Sequence, residues 1–268
     1  WQPRLGENDW GADGVFVPGK NEQGDGEGGG WQLSSRVPPS WQLGYQSLRF
    51  LARPTPFRHL GFFPEQAAHW DWCAAAIKVF IQTHKRPPRI LNLFAYSGLA
   101  SLHAAAAGAK VTHLDASKKA VAQAFENRDL CGMQSAPIRF ITDDATGFVD
   151  RELRRQKNYD GIILDPPKYG RGPKGEFWRI EDDLTPLLQK CRQLLSEDAL
   201  FMVLTIYAIR ASSLAAHYAL ADLFENQGGC LESGELAIQE VAMKTSKTDL
   251  LRYVAQANFA RWCSDIAA

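Results

Sequence analysis

From residue 64 onward, short apolar runs alternate with longer amphipathic runs. The apolar runs predict five buried strands, RILNLFAY (89–96), KVTHLDAS (110–117), IRFITDDA (138–145), YDGIILD (159–165) and ALFMVLTIY (199–207). The amphipathic runs predict helices at 64–82, 98–109, 118–131, 146–156, 183–195 and 213–227, and two terminal strands follow at 232–241 and 250–262. Strands that are apolar throughout are buried on both faces, and strand–helix repeats build a parallel sheet with helices on both sides. The pattern therefore predicts a Rossmann-like, doubly wound α/β fold with a mostly parallel seven-stranded sheet.

The first 62 residues follow a different pattern and are predicted to form a small β-rich extension, with the main domain at 63–268. The stretch NEQGDGEGGGW (21–31) is acidic and glycine-rich, which favours an exposed loop. Alternation at Trp41, Leu43 and Tyr45 predicts a strand or a hairpin. Four tryptophans occur in this part, and packing is favoured over ligand stacking as their role; they are Trp1, Trp10, Trp31 and Trp41.

Composition adds few constraints. Thirty Lys and Arg balance thirty Asp and Glu, so any affinity for nucleic acid has to come from a local patch. No run approaches about eighteen apolar residues, so no membrane span is predicted. The five cysteines are far apart and have no metal-ligand spacing, which favours reduced thiols, a cytoplasmic location and no metal. The chain begins at Trp1, so a trimmed terminus and an organelle location after removal of a targeting peptide both stay open.

Polar residues follow the predicted parallel strands where each strand ends. In such sheets the carboxyl ends of the strands share one edge, and ligands bind there. The turn at Tyr96, Ser97 and Gly98 has one glycine, whereas pyrophosphate-binding folds use three. Asp115 is expected to accept hydrogen bonds from ribose hydroxyls, although it could merely begin the turn toward Ser117, the predicted N-cap.

After the next strand, Asp144 is expected to reach an adenine amine, with Asp143 as the rival. An adenosine site without a pyrophosphate site points to S-adenosylmethionine (SAM) as the cofactor.

The segment LDPPKYGRGPKGEFW (164–178) places a carboxylate, two prolines, a lysine and an aromatic ring at one strand end. Prolines have no N–H, so acceptors line this turn, which suits a base amine. Residues 168–179 carry four cations and one anion with interleaved aromatic rings, as in sites that bind single-stranded nucleic acid. The alternative is a solvated loop with two residues docked on the core. Among the histidines, His59 is the one expected near a pocket.

The strings LNLFAYSGLASLHAAAAGAKVTHLDASKKAVAQAFEN and YDGIILDPPKYGRGPKGE resemble class I SAM-dependent methyltransferases, in the bacterial branch related to ribosomal-RNA methyltransferases. The segment FRHLGFFPEQAAHWDW also resembles that branch, and the likeness covers about residues 40–240. The resemblance implies that Phe63 and Gln66 help to close the cofactor pocket. Together with the strand-end pattern, it gives as cofactor-binding residues Phe63, Gln66, Phe94, Tyr96, Ser97, Gly98, Asp115, Ala116, Ser117, Asp143, Asp144 and Asp165. The expected catalytic residues are Asp165, Pro166, Pro167, Lys168 and Tyr169, and the expected substrate-binding residues are Arg171, Lys174, Trp178 and Tyr207.

Two departures from that branch refine the expected function. Cytosine-C5 enzymes of the group carry a cysteine after the fifth strand, where this chain has Thr205, Ile206 and Tyr207. The C-terminal stretch MKTSKTDLLRYVAQANFARW is also longer and more charged than the resemblance implies. The absence of that cysteine predicts methylation of a nitrogen in an RNA nucleotide, with ribosomal RNA as the expected partner. The alternatives are an RNA-binding or ribosome-assembly factor without turnover, and a methyltransferase of protein or of a small molecule.

Overall fold

The structure is a computed structural model that describes residues 13–18, 29–207, 212–240 and 252–266. Two compact units divide the chain, Trp1–Phe63 and Pro64–Ala268, so the division falls one residue after the expected boundary.

The N-terminal unit contains two antiparallel hairpins. Strands β1 (Gly14–Pro18) and β2 (Gly29–Leu33) form the first hairpin, and β3 (Trp41–Tyr45) and β4 (Leu48–Ala52) form the second. Trp31 stacks edge-on against Phe16 and donates from Nε1 to the Thr55 carbonyl at 2.9 Å, so it is a packing residue. The loop predicted at 21–31 extends too far, because its last three residues belong to β2, which begins at Gly29. Residues 21–28, Trp1 and Trp10 lie outside the described residues.

The larger unit follows the predicted alternation of elements. It begins with a 3-10 turn at Pro64–Gln66. The elements that follow in chain order are α1 (Ala67–His84), β5 (Arg89–Leu93), α2 (Leu99–Ala106), β6 (Lys110–Asp115), α3 (Lys118–Leu130), β7 (Ile138–Thr142), α4 (Ala145–Arg154), β8 (Gly161–Leu164), β9 (Tyr169–Arg171), β10 (Phe177–Arg179), α5 (Ile180–Leu194), β11 (Phe201–Ile206), α6 (Ser213–Phe224), β12 (Cys230–Glu240) and β13 (Arg252–Cys263).

Seven of these strands form one sheet in the order β12-β13-β11-β8-β5-β6-β7. The five strands from β11 to β7 are parallel, and β13 runs antiparallel to both β11 and β12. The prediction of a mostly parallel seven-stranded sheet is confirmed. The strand order reverses between β5 and β8, which is where doubly wound sheets open a crevice for ligands.

Two cores on opposite faces of the sheet show why the strands are apolar throughout. Leu91 and Leu93 of β5 pack into a core with α4, α5 and α6, whereas Ile90 packs into a core with α1 and α2. Neighbouring strand residues point to opposite faces, so a strand covered on both sides needs apolar residues at every position. The helices on the two faces confirm the doubly wound arrangement.

Two features differ from the sequence prediction. The segment after Asp165 contains a short antiparallel hairpin, β9–β10, instead of an irregular loop. Helix α5 starts at Ile180, three residues earlier than expected, and Asp183 lies in its first turn. There the Asp183 carboxylate accepts a hydrogen bond from the Arg179 backbone N–H at 2.7 Å. The Asp183 carboxylate therefore satisfies a backbone N–H at the helix start from within the first turn.

Candidate active site at the carboxyl ends of the parallel strands

The turn between β5 and α2 has an unusual backbone. Phe94 and Tyr96 have φ values of 56° and 46°, and Gly98 has φ 87°. A left-handed conformation at two non-glycine residues costs on the order of 1–3 kcal/mol each, and such strain concentrates at functional sites. A Cβ added to Gly98 would lie 2.8 Å from the Ala124 Cβ, so glycine is required there for helix packing as well.

Hydrogen bonds hold this turn in place. The Asp115 carboxylate accepts from the backbone N–H of Tyr96 and from that of Ser117, both at 2.8 Å. The Ser97 carbonyl accepts from the buried Asn127 side chain at 2.9 Å. Asp115 thus connects the end of β6 to the β5–α2 turn, and its role in the turn toward Ser117 is only part of what it does.

Burial raises the pKa of Asp115, and its two backbone hydrogen bonds offset part of that rise. Each carboxylate oxygen has a second lone pair, so Asp115 retains acceptor capacity for ligand hydroxyls. Ser117 is confirmed as an N-cap, since its Oγ accepts from the Ala120 N–H at 3.3 Å. Ala116 lies half-buried between these two residues.

Asp143 and Asp144, at the end of β7, have separate structural partners. The Asp143 N–H donates to the Asp115 carbonyl at 3.2 Å, which places it beside the end of β6. Its carboxylate pairs with Arg151. Asp144 caps α4 by accepting from the Gly147 N–H at 2.7 Å. An adenine contact by either residue stays a prediction.

Asp165, directly after β8, has one satisfied and one unsatisfied oxygen. Its Oδ2 accepts from Gln66 Nε2 at 3.1 Å, while its Oδ1 is buried and has no hydrogen-bond partner among the described residues. Burial raises the pKa of this carboxyl group well above its ordinary value, and the negative charges of Glu65 and Asp115 raise it further. A buried acceptor without a partner is costly, and such atoms are few in folded proteins.

The phenol of Tyr207, just after β11, joins Gln66 to a second carboxylate. It accepts from Gln66 Nε2 at 3.0 Å and donates to Glu65 Oε1 at 3.0 Å. Glu65 is 7% exposed. Burial, together with the charges of Asp165 and Glu65, raises the pKa of Tyr207. The structure therefore brings the expected residues Gln66, Asp165 and Tyr207 together, and adds Glu65, which sequence reasoning missed.

Two expectations about the turn after Asp165 need correction. They are that Trp178 contacts the substrate and that the Pro167 carbonyl is free to accept from a base amine. Trp178, expected to contact the substrate, is only 5% exposed, and its ring packs against Phe94 at 4.9 Å between centroids. Its Nε1 donates to the Pro167 carbonyl at 2.7 Å. Because this indole is buried and that carbonyl is engaged, Trp178 fixes the turn instead of stacking on a base. Pro166, at the start of the turn, is buried.

The outer face of the β9–β10 hairpin carries exposed rings and cations. Tyr169 is 43% exposed and Phe177 is 61% exposed. The Lys168 ammonium lies 5.2 Å from the centre of the Tyr169 ring, and Arg171 and Lys174 are exposed. The alternative interpretation, a solvated loop with two residues docked on the core, holds for Trp178, which is buried, and not for Phe177, which is exposed.

Phe63 and His59 belong to the N-terminal unit, where their rings lie 4.9 Å apart and burial lowers the pKa of His59. A depression of about 350 Å³ lies at the amino ends of the strands, where Arg86 is already paired with Asp160 and Asp198.

Within the described ranges, no group of three or more His, Cys, Asp or Glu is placed to hold a metal ion. The helices that the structure describes are too short or too polar to cross a membrane.

Residues 68–206, which are 139 of the 268 residues, match the family model described as Conserved hypothetical protein 95. The crystal structure of a SAM-dependent methyltransferase from Agrobacterium tumefaciens is 43% identical to this chain. The match covers 98% of this chain and 81% of that one, with a TM-score of 0.87. The chain therefore belongs to the Conserved hypothetical protein 95 family and, with the Agrobacterium protein, to the SAM-dependent methyltransferases.

More distant relatives match part of the chain. Ribosomal RNA large subunit methyltransferase K/L of Shewanella baltica is 38% identical over 110 residues, which are 40% of this chain. This chain spans only about 15% of the length of that curated relative. The structure of SMU.776 complexed with SAH is 18% identical and covers 87% of this chain and 58% of that one. Its TM-score of 0.65 shows a shared fold.

Proposed function

We propose that this protein transfers a methyl group from SAM to a nitrogen of a base in RNA, with ribosomal RNA as the substrate and the cytoplasm as its location. The observation that carries the proposal is the buried Oδ1 of Asp165, which has no partner among the described residues and lies at the ligand edge of the sheet. Family membership supports the choice of methyl donor. The name of the K/L relatives supports the choice of RNA.

The residues at the strand ends fit SAM. Asp115 retains acceptor lone pairs for ribose hydroxyls, and the strained turn at 94–98 brings backbone close to this edge. Asp165 offers an unsatisfied acceptor beside them. When bound, SAM supplies a methyl group activated by the positive sulfonium. The protein's own residues then have to hold the acceptor nitrogen in line and take up its proton or developing charge.

Asp165 is suited to that second task. A nitrogen with an N–H can donate to Oδ1, which orients the nitrogen, stabilises the positive charge that develops on it as the methyl group arrives, and takes up its proton. Holding reactants in line contributes up to roughly 7–11 kcal/mol in favourable cases. Burial and the nearby negative charges raise the pKa of Asp165, which makes its carboxylate a stronger base than that of an exposed aspartate.

Carbon methylation would require a different residue set. C5 of cytosine is a poor nucleophile, and a cysteine that adds to the ring is the usual solution. The residue that follows β11 is Tyr207, which is bound to Gln66 and Glu65. The five cysteines lie on α1 and α5, after α3, and on β12 and β13. These positions favour nitrogen as the acceptor.

The β9–β10 hairpin is the proposed RNA contact. Tyr169 and Phe177 offer exposed faces for base stacking, and Arg171 and Lys174 offer charges for phosphates. Asp165 precedes this hairpin by four residues, so a nucleotide held there is close to the proposed acceptor site. The neutral net charge of the chain agrees with a local patch as the source of affinity.

The test is transfer of an isotope-labelled methyl group from SAM by the purified protein. Ribosomal RNA from cells that lack the protein should accept label, total protein should not, and Asp165→Ala should bind SAM without transfer. RNA that contains 5-fluorocytidine should form no covalent protein adduct. Label in protein, a trapped adduct, or RNA binding without transfer by the wild type would each contradict the proposal, and the last result would favour an assembly factor.

A further inference from the structure

Four side chains form a hydrogen-bonded chain at the candidate site. Gln66 Nε2 donates to Asp165 Oδ2 and to the Tyr207 phenol, and the phenol donates to Glu65 Oε1. An amide NH₂ has two hydrogens, so both Gln66 donors are used. These hydrogen bonds connect the carboxylate of Asp165 to that of Glu65, and the four residues come from the 3-10 turn before α1 and from the positions just after β8 and β11.

The direction of these bonds depends on Glu65. A phenol beside a carboxylate donates to it, because the charge-assisted bond is the stronger one. The Tyr207 oxygen can then only accept from Gln66. If the amide were flipped while Asp165 is ionised, the Gln66 oxygen would face the Asp165 carboxylate, which has no hydrogen, and the phenol, whose hydrogen is donated to Glu65. Glu65 therefore fixes the orientation of Gln66 through Tyr207.

We propose that Glu65 and Tyr207 are positioning residues for Asp165, which orient Gln66 so that Asp165 Oδ2 is occupied and Oδ1 is left for an N–H of the substrate. The inference rests on the proposed function for the identity of that N–H. The orientation itself can be measured without substrate.

Glu65 also acts on Asp165 through its charge. The groups that act on Asp165 are the carboxylates of Glu65 and Asp115, which raise its pKa, and the amide of Gln66, which lowers it. The Tyr207 phenol lies between Gln66 and Glu65. Removing the Glu65 charge and removing the Gln66 donor should therefore move the Asp165 titration in opposite directions. A role in packing alone predicts neither movement.

The experiment is a ¹³C NMR titration of the Asp165 carboxyl carbon in the cofactor-free protein, assigned with Asp165→Asn. Glu65→Gln should lower the titration midpoint, and Gln66→Met should raise it. The matched control is Glu152→Gln, because Glu152 is also buried and also accepts from a tyrosine, Tyr159, at 2.9 Å. That control should leave the Asp165 midpoint unchanged.

Kinetics give a second readout. Glu65→Gln should move the acid limb of the kcat/KM profile to lower pH, since Asp165 has to be ionised to accept. Tyr207→Phe should lower kcat about 10-fold, as expected for one lost hydrogen bond, with the KM for SAM unchanged.

The inference would be overturned if the Asp165 titration midpoint stayed unchanged in the folded Glu65→Gln and Gln66→Met variants. If only one of the two variants folds, an unchanged midpoint in that variant is enough to overturn it. A wild type without methyl transfer would instead overturn the proposed function, and the NMR titration would still decide the role of Glu65.

Discussion

Two carboxylates at the candidate site differ in how their burial is offset. Both oxygens of Asp115 accept backbone N–H groups, whereas Asp165 has one side-chain donor and one oxygen without a described partner. Hydrogen bonds to the charged form favour ionisation, and burial opposes it. Asp115 thus holds a turn through both of its oxygens, whereas Asp165 keeps one buried oxygen that can still accept a hydrogen bond.

Under the proposed function, Asp115 both accepts hydrogen bonds from SAM and holds the turn around it. Asp115→Ala should weaken SAM affinity by roughly 10- to 100-fold, because it removes charge-assisted hydrogen bonds to the ligand. It also releases the Tyr96 and Ser117 N–H groups. Asp115→Asn, which can accept only one of the two, should be intermediate. Calorimetry would measure both, and unchanged affinity in a folded Asp115→Ala variant would remove this residue from the site.

Asp165 should cost stability at neutral pH. The pKa of Asp165 in the folded protein lies above its ordinary value of 3.8. At a pH between 3.8 and the folded pKa, Asp165 therefore binds more protons in the folded protein than in the unfolded chain. Stability then falls as pH rises through that window. Asp165→Asn should therefore stabilise the cofactor-free protein at pH 8 relative to the wild type, and this gain should shrink toward pH 4. Urea denaturation across that range would measure it.

Asp160 provides a control of opposite sign. Burial works against its ionisation, but hydrogen bonds from Arg86, the Arg89 N–H and Ser196, together with the Arg86 charge, lower its pKa. Its contribution is present at neutral pH and is lost as pH falls through its folded pKa, so Asp160→Asn should destabilise the protein at pH 8. If both variants changed stability equally at every pH, the assignment of the two environments would be wrong.

At the scale of elements, the β9–β10 hairpin combines an inner and an outer face. Trp178 and Phe177 are neighbours on one strand, so they point to opposite sides. Trp178 packs on Phe94 and binds the Pro167 carbonyl, while Phe177 is exposed. The inner face fixes the turn after Asp165, and the outer face is available to a partner.

This division gives a paired prediction. Trp178→Ala should destabilise the protein by about 3–5 kcal/mol, as for other buried aromatic deletions. Phe177→Ala should change stability by no more than about 0.5 kcal/mol. It should nevertheless weaken RNA binding, by about 1–3 kcal/mol if one base stacks on it. Denaturation and filter-binding measurements on both variants would test the pair, and equal stability losses would contradict the two-faced arrangement.

The cations of the hairpin predict the salt dependence of RNA binding. Each phosphate contact contributes about −0.7 to the log–log slope for single strands. Arg171→Ala with Lys174→Ala should therefore flatten the slope. Arg154→Ala with Lys157→Ala removes the same charge from exposed positions at the end of α4 and just beyond it, and should leave the slope unchanged. The same slope in the wild type and the Arg171/Lys174 variant would exclude the hairpin as the RNA contact.

At the scale of the whole molecule, the sheet could be predicted because both of its faces are buried. Every residue of β8 and β11 is buried, so each strand is visible as an apolar run. The β9–β10 hairpin could not be predicted, since three-residue strands carry no usable period. Sequence also could not tell which of Phe177 and Trp178 points inward, because that choice depends on Phe94.

The sequence could predict the site residues that lie at strand ends. It could not predict a site residue whose position depends on contact with a distant segment of the chain. Asp115 is the last residue of β6 and Asp165 directly follows β8, so their positions are set by the architecture. Glu65 looks like an ordinary acidic residue in the first turn of a helix, which the helix dipole favours. Its burial depends on Tyr207, 142 positions away, and no local pattern reports that contact.

We propose that this chain methylates a nitrogen in ribosomal RNA and that Asp165 accepts the hydrogen bond or proton of that nitrogen. The decisive experiment is mass spectrometry of ribosomal-RNA nucleosides from cells with and without the protein. We expect one N-methylated nucleoside to be lost without the protein, restored by the wild type and the Glu152→Gln control, and not restored by Asp165→Ala. Unchanged nucleosides, or loss of 5-methylcytidine instead, would contradict the claim.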